Sequence, residues 1–216
     1  MNNKRLTVYW GEELGRYRFG HDHPLGQDRL AAFRVAATRE GIDRSAEIAT
    51  PVACNVTDLI LFHEPEYVQR VEEQSTIGKG YLDCGDTPAY PGIYDAGRFV
   101  VGTGLAAINR ILKHDWHHAF VPIGGLHHAR RAGAAGFSVF NDCGIMIEAL
   151  RRRYGIVRVA YVDIDAHHGD GVYYAFEEDP DLAIADIHED GRYLYPGTGA
   201  ANEEGKGIAR GTKLNI

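Results

Sequence analysis

Short apolar runs of strand-like composition alternate along this chain with longer segments whose apolar residues recur at helical spacing. Helical spacing occurs in residues 28–39, where Leu30, Phe33 and Val35 recur, in residues 67–73 after Pro65, and in residues 91–113. The strand-like runs cover residues 6–10, 46–53, 118–123, 156–165, 182–188 and 213–216. Such alternation is typical of a mostly parallel sheet with helices on both faces, so we predict a three-layer α/β fold. No internal repeat or Pro- and Ser-rich linker divides the chain, and one domain is predicted.

The predicted strand at 156–165 ends in a concentration of ionisable side chains. Its apolar part indicates a strand buried on both faces, and the positions after it supply Asp163, Asp165, His167, His168 and Asp170. Buried charge is costly unless it is paired or bound to a metal. Alternation along an extended backbone predicts Asp163, Asp165 and His167 on one side of it. Because carboxylate oxygen and imidazole nitrogen are zinc ligands, Asp165 and His167 are two candidates for a catalytic metal site.

Each of these residues has a plainer explanation when it is taken alone. A single aspartate at a strand end is commonly a helix cap or a turn former, and a single histidine is commonly a hydrogen-bonded, half-buried residue. The cluster as a whole favours a functional site, because ordinary strand ends do not need so many titratable groups.

A second polar motif, Gly-Gly-Leu-His-His at residues 124–128, follows the predicted strand at 118–123. Ligands in parallel sheets bind beyond the carboxyl ends of the strands, so we expect both motifs at the same edge. Adjacent residues on a regular strand point to opposite faces. Directing both His127 and His128 into one site therefore requires an irregular backbone, which Gly124 and Gly125 permit.

Composition restricts the class of protein. The net charge of −7 and the absence of a basic cluster argue against nucleic acid as the main partner. The densest basic run, residues 151–153, is expected in the last turn of a helix, where cations suit the helix dipole. Three widely spaced cysteines indicate reduced thiols, and no apolar run approaches the roughly 20 residues of a membrane span. We therefore expect a cytoplasmic protein.

Taken together, the motifs resemble those of zinc-dependent deacetylases of the histone deacetylase family, which have the arginase/deacetylase fold. The resemblance runs from about Tyr9 to the last residue. Within the family, the chain is most similar to the bacterial and archaeal acetoin-utilisation deacetylases. Its motifs are His-Pro-Leu-Gly at 23–26, Gly-Asp-Thr-Pro at 85–88, Pro-Gly-Ile-Tyr at 91–94, residues 124–129, Gly-Phe-Ser-Val-Phe-Asn-Asp at 136–142, residues 163–171, residues 188–195 and Tyr-Pro-Gly-Thr-Gly at 195–199.

The resemblance implies roles for the polar residues. Asp165 and His167 would be two zinc ligands, although iron(II) suits the same donors. His128 would be the general base, and His127 would give electrostatic support or act as the acid for the leaving amine. Asp163 and Asp170 would each accept an N–H from one imidazole and fix its tautomer.

The resemblance also implies an acetylated lysine, or a small acetylated amine, as the substrate. Gly136, Phe137 and Tyr195 match the positions of a narrow apolar channel, and Asp86 matches an aspartate at its rim. Without that context, Phe137 and Tyr195 would be core residues and Asp86 a turn residue.

Part of the family pattern lies beyond residue 216. A third zinc ligand and an oxyanion-binding tyrosine are not in the chain, and neither are two central strands that lie between the two motif-bearing strands in the family. Residues 1–216 are therefore expected to be the N-terminal part of a single deacetylase domain, with the C-terminal part absent. One alternative is an inactive truncated fragment or a chain that pairs with a partner. A less favoured alternative is a relative of the two-metal ureohydrolases. Gly169 argues against it, because that family carries an aspartate at this position.

Overall fold

A computed structural model describes residues 6–20, 23–26, 29–113 and 117–216. The strands in these ranges are β1 (Leu6–Tyr9), β2 (Glu47–Ala49), β3 (His118–Phe120), β4 (Val159–Asp163), β5 (Leu182–Asp186) and β6 (Lys213–Asn215). The helices are α1 (Glu12–Gly15), α2 (Arg29–Arg39), α3 (Ile42–Ser45), α4 (Val56–Leu59), α5 (Pro65–Ile77), α6 (Ile93–Lys113), α7 (Asp142–Tyr154) and α8 (Asp170–Ala175). Asp28, the predicted start of α2, lies outside the described residues.

The strands form two separate parallel sheets. One has the order β2-β1-β3 and the other the order β4-β5-β6. This confirms the predicted parallel α/β fold, and all six predicted strands exist in shorter form. Among the described residues β3 and β4 are not paired with each other.

Helices α6 and α7 form the centre of the core. The buried side chains of Ile93, Val100 and Val101 on α6 lie in one apolar cluster with Phe140 and Ile145. α6 also packs directly on a neighbouring loop, because a Cβ on Gly102 would lie 2.2 Å from the carbonyl oxygen of Val52. Close packing of this kind fixes the helices against the sheets.

The ends of α7 show how local sequence sets an element boundary. Its N-cap is Asn141, and it closes at Gly155, whose φ is 67°. The predicted position of the three arginines in its last turn is confirmed. The Ile156 N–H donates to the Leu150 carbonyl at 3.1 Å. Because residues 155–158 complete this helix end, β4 begins at Val159 rather than at residue 156.

The prediction that β4 is buried on both faces is wrong. Its residues alternate, and Val162 is 66% exposed. In the sheet register Val162, Ala185 and Leu214 form one row, and the row lies on a face that no described element covers. A second error concerns α2, where Leu30 is buried but Val35 is 72% exposed. Five residues advance a helix by about 500°, which places Val35 away from Leu30.

The remaining helices were predicted with different accuracy. α5 is longer than the predicted segment because Pro65 opens it and Gly78, with a left-handed φ of 66°, ends it. Four short helices, α1, α3, α4 and α8, were not predicted, since each is too short to show helical periodicity. No helix in the described ranges has the length and apolarity that a membrane span requires.

Candidate active site

A cavity of about 370 Å³ lies between the segment that follows β3 and the segment that follows β4. His127 and His128 line it from the β3 side, and Asp165 and His167 line it from the β4 side. The other predicted site residues that line the same cavity are Asp86, Gly136, Phe137 and Tyr195. The structure therefore brings the two motifs together even though their strands are not paired.

His127 and His128 are each hydrogen-bonded to a buried carboxylate. Nδ1 of His127 lies 2.7 Å from Oδ2 of Asp163, and Nδ1 of His128 lies 2.8 Å from Oδ1 of Asp170. The two imidazole rings are 4.1 Å apart between centroids. A proton on each Nδ1 leaves Nε2 as the free ring nitrogen, and Nε2 of His127 is 4.0 Å from Oδ1 of Asp165.

The surroundings push the pKa values of the two histidines apart. Burial lowers the pKa of His127, but the hydrogen bond and charge of Asp163 outweigh burial and the net shift is upward. Burial also lowers the pKa of His128, and here Asp170 does not compensate, so the net shift is downward. Despite burial, the bonds from His127 and Tyr161 lower the pKa of Asp163 to about 2. One imidazole thus favours its protonated form and its neighbour the neutral form.

Asp165 and His167 present two metal-type donor atoms to the cavity. Oδ1 of Asp165 is 2.9 Å from Nδ1 of His167 and also accepts the His167 backbone N–H at 2.8 Å. Both side chains are about half exposed. A carboxylate oxygen and an imidazole nitrogen fit zinc or iron(II), but the described residues contain no group of three side chains that would hold a metal. The donors present thus fit part of a metal site.

The common location of Asp165 and His167 does not arise from strand alternation as predicted. β4 ends at Asp163, whose Oδ1 accepts the Asp165 N–H at 3.0 Å and closes a turn. The turn directs both residues into the cavity. Ile164, between Asp163 and Asp165, is 81% exposed.

The backbone around the histidine pair is irregular, as the paired glycines predict. Gly125 has a φ of 74°. The first turn of α8 approaches this segment closely, since a Cβ on Gly171 would lie 2.5 Å from the carbonyl oxygens of His127 and Ala129. Glycine at 171 therefore permits the contact that brings Asp170 under His128.

The cavity walls near His128 are aromatic. The Tyr195 ring lies 5.0 Å from the His128 ring, and the Phe137 ring lies 4.2 Å from that of His23. Phe137 has an unusual φ of 66°. Its N–H donates a hydrogen bond to Thr87 Oγ1, and its carbonyl accepts one from the Tyr17 hydroxyl. Sequence analysis missed Tyr17 and Thr87, because they lie 120 and 50 residues from Phe137 and no local pattern connects them.

Asp86 lies exposed at the cavity rim, in a turn that a neighbouring aspartate organises. Oδ1 of Asp83 accepts the backbone N–H groups of Gly85, Asp86 and Thr87. The hydrogen bond between the two carboxyl groups raises the pKa of Asp86 to about 6 and contributes to a lowered pKa of Asp83. The turn-forming role considered for Asp86 therefore belongs to Asp83.

The parallel half-sheets and the geometry of this cavity define an α/β protein of the arginase/deacetylase-like fold. The chain belongs to the histone deacetylase family, because the family model of the histone deacetylase domain matches residues 23–216. It is 37% identical over 211 residues to the acetoin utilization protein AcuC of Bacillus subtilis, covering 93% of this chain and 53% of that protein. It is 31% identical to histone deacetylase HDAC1 of Drosophila melanogaster, covering 100% of this chain and 42% of that protein.

Solved structures agree with this membership. The HDA15 HD domain superposes with a TM-score of 0.89 at 25% identity, covering 100% of this chain and 62% of that chain. An HDAC homolog from Aquifex aeolicus superposes with a TM-score of 0.85 at 27% identity, covering 99% and 59%. The chain thus spans about half the length of the relatives it matches.

Proposed function

We propose that this chain carries the catalytic histidines and two metal ligands of an amidohydrolase that removes the acetyl group from acetyl-lysine or a similar acetylated amine. The observation that carries the proposal is the convergence of two Asp-bound histidines with Asp165 and His167 in one cavity. Family membership supports the reaction class.

The two histidines have complementary roles in amide hydrolysis. Nε2 of His128 accepts a proton from the attacking water, and Asp170 holds its ring in the tautomer that leaves this nitrogen free. His127, held by Asp163, places positive charge beside the reacting carbonyl and supplies the proton that the leaving amine requires. Water and amide are converted to acetate and amine. The opposite pKa shifts of the two imidazoles support this division of roles.

Asp165 and His167 would hold the metal of this site, zinc with iron(II) as the alternative. When bound, such a metal polarises the amide carbonyl and makes water more acidic. Within the described ranges no third ligand joins Asp165 and His167.

The cavity walls suit a substrate with an aliphatic stem. Phe137 and Tyr195 line the cavity together with Gly136, where an added side chain would contact both His128 and Tyr195. Asp86, at the rim, offers a carboxylate to N–H groups of the substrate. A lysine side chain has the length and apolar character that such a channel requires.

We further propose that residues 1–216 form the N-terminal part of one deacetylase domain. In the described part of the chain β3 and β4 each have an unpaired edge, which supports this proposal, because two more strands between them would join the half-sheets. An inactive fragment, or a chain that pairs with a partner, is the alternative.

The test uses the natural gene product that contains these residues. Acetate release is measured from an acetyl-lysine peptide and from N-acetylated diamines. We expect release that His128→Gln abolishes and that Asp95→Asn, at an exposed position of α6, leaves unchanged. Release at the same rate by His128→Gln would refute the assignment. If the intact natural gene product is inactive toward all these acetylated amines, the alternative of an inactive fragment is favoured.

A further inference from the structure

The groups that hold the backbone around His127 and His128 lie at the start of α7. Residues 124–128 belong to no strand, so their buried N–H and C=O groups lack the partners that a sheet would supply. Two adjacent side chains supply many of these hydrogen-bond partners. They are Asn141 and Asp142, which are 0% and 4% exposed.

Asp142 holds the segment before the histidine pair. Its Oδ1 accepts a hydrogen bond from the Leu126 N–H at 2.7 Å, and its Oδ2 accepts one from the Gly125 N–H at 3.0 Å. The approach is close, since a Cβ on Gly124 would lie 3.0 Å from Oδ2. Two acceptor oxygens are required here, which a carboxylate has and a carboxamide lacks.

Asn141 holds the segment at and after the pair. Its Nδ2 donates to the carbonyl oxygens of Ala129 at 2.8 Å and of His127 at 3.3 Å. Its Oδ1 accepts the Gly144 N–H at 2.8 Å. These partners determine the orientation of the Asn141 side-chain amide. The flipped orientation would place its oxygen against two carbonyl oxygens.

We propose that Asn141 and Asp142 are positioning residues for the His127–His128 pair. Asp142 fixes the N–H groups of Gly125 and Leu126, ahead of His127, and Asn141 fixes the carbonyl groups on both sides of His128. The two side chains thereby set the directions in which adjacent residues extend into one cavity. The inference rests on the proposed deacetylase function. It adds to that proposal the two residues that hold the catalytic histidines in position.

Asn141 also caps α7, and suitable substitutions keep this capping role while they remove the contacts to the histidine segment. Aspartate and serine cap helices about as well as asparagine. Asn141→Asp and Asn141→Ser therefore keep an oxygen for the Gly144 N–H and lose the Nδ2 amide group that donates to the two carbonyls. Asp142→Asn is isosteric and keeps at most one of its two acceptor oxygens. Asn55→Asp is the matched control, because Asn55 caps exposed α4 away from the cavity.

The experiment measures kcat and KM on an acetyl-lysine peptide for the natural gene product and these variants. The imidazole N–H proton signals of His127 and His128 are recorded by NMR, assigned with single histidine variants. A displacement of about 1 Å lowers rates on the order of 100-fold. We expect kcat to fall about 10- to 100-fold in Asn141→Ser and Asp142→Asn with KM within about threefold, together with shifted imidazole signals.

Each outcome decides the inference. Values of kcat within about twofold of Asn55→Asp for both variants, with unshifted imidazole signals, would overturn it. If Asn141→Asp does not fold, Asn141→Ser still carries the test, because it places no charge against the carbonyls. If the unsubstituted protein releases no acetate, the proposed function fails, and the imidazole signals alone then decide whether the two residues position the pair.

Discussion

Asp170 and His128 form a buried hydrogen bond of 2.8 Å between a carboxylate and an imidazole Nδ1. The other oxygen of Asp170 is 3.4 Å from the guanidinium of Arg130. We predict that Asp170→Asn lowers kcat about 10- to 100-fold, because the amide no longer selects the tautomer with a free Nε2. Steady-state kinetics on an acetyl-lysine peptide measure this. The exposed Asp95→Asn should keep full activity, and an equal loss in both variants would contradict the assigned role.

Gly136 is predicted to be sensitive to a single added methyl group. Its φ is 51°, and a Cβ would lie 2.5 Å from Cδ2 of His128 and 2.9 Å from Cε1 of Tyr195. Gly136→Ala should lower kcat/KM about 100-fold by displacing the histidine and narrowing the channel. Gly133→Ala is the control, since a Cβ there meets nothing within 4 Å. Equal kcat/KM for the two variants would show that the channel lies elsewhere.

His63 is predicted to make stability depend on pH. Burial lowers the pKa of His63 from 6.5 to about 4, and its Nε2 accepts the Asn141 N–H at 2.9 Å. The unfolded chain therefore binds a proton below pH 6.5 that the folded chain excludes, so stability is lost as pH falls from 6.5 toward 4. Between pH 7.5 and pH 5 the loss is roughly 2 kcal/mol.

The measurement is the free energy of unfolding of the natural gene product and of His63→Gln at both pH values. The variant should be less stable at pH 7.5 and should lack this part of the pH dependence. Other buried histidines contribute equally to both proteins, so the difference between them isolates His63. Identical slopes for the two proteins would refute the prediction.

The exposed face of the second sheet predicts how residues 1–216 behave as an isolated polypeptide. Val162 and Leu214 lie in one exposed apolar row, and β3 and β4 have unpaired edges in the described structure. We expect this polypeptide to self-associate, and Val162→Lys to reduce association. Sedimentation velocity tests both, with Ile208→Lys as a control at another exposed apolar position. A monomer with one cooperative thermal transition would contradict the prediction.

Sequence patterns predicted the six strands because apolar runs bounded by turns are local signals. They overestimated strand lengths because apolar residues continue into loops, as at 156–158, where Ile156 closes the end of α7. The exposure of Val162 could not be predicted, because burial of a strand face depends on what other elements cover it. The grouping of Val35 with Leu30 on one helix face was wrong because a spacing of five residues does not match the helical period.

The site was accessible to sequence analysis where its residues form compact motifs. His127, His128 and the cluster at 163–170 were expected at one edge of the sheet, and the structure places them around one cavity. The contributions of Tyr17, Thr87 and Asn141 were not accessible, because each acts through a backbone hydrogen bond to a distant segment. Such bonds depend on tertiary geometry, and the residue types alone do not specify them.

The metal dependence of acetate release from an acetyl-lysine peptide tests the central claim most directly. It is measured on the natural gene product before chelation, after chelation, and after addition of zinc or iron(II). We expect release to disappear on chelation and to return with either metal, because Asp165 and His167 provide a carboxylate oxygen and an imidazole nitrogen. Release that persists without metal, or manganese-dependent formation of urea in place of acetate release, would contradict the proposed deacetylase.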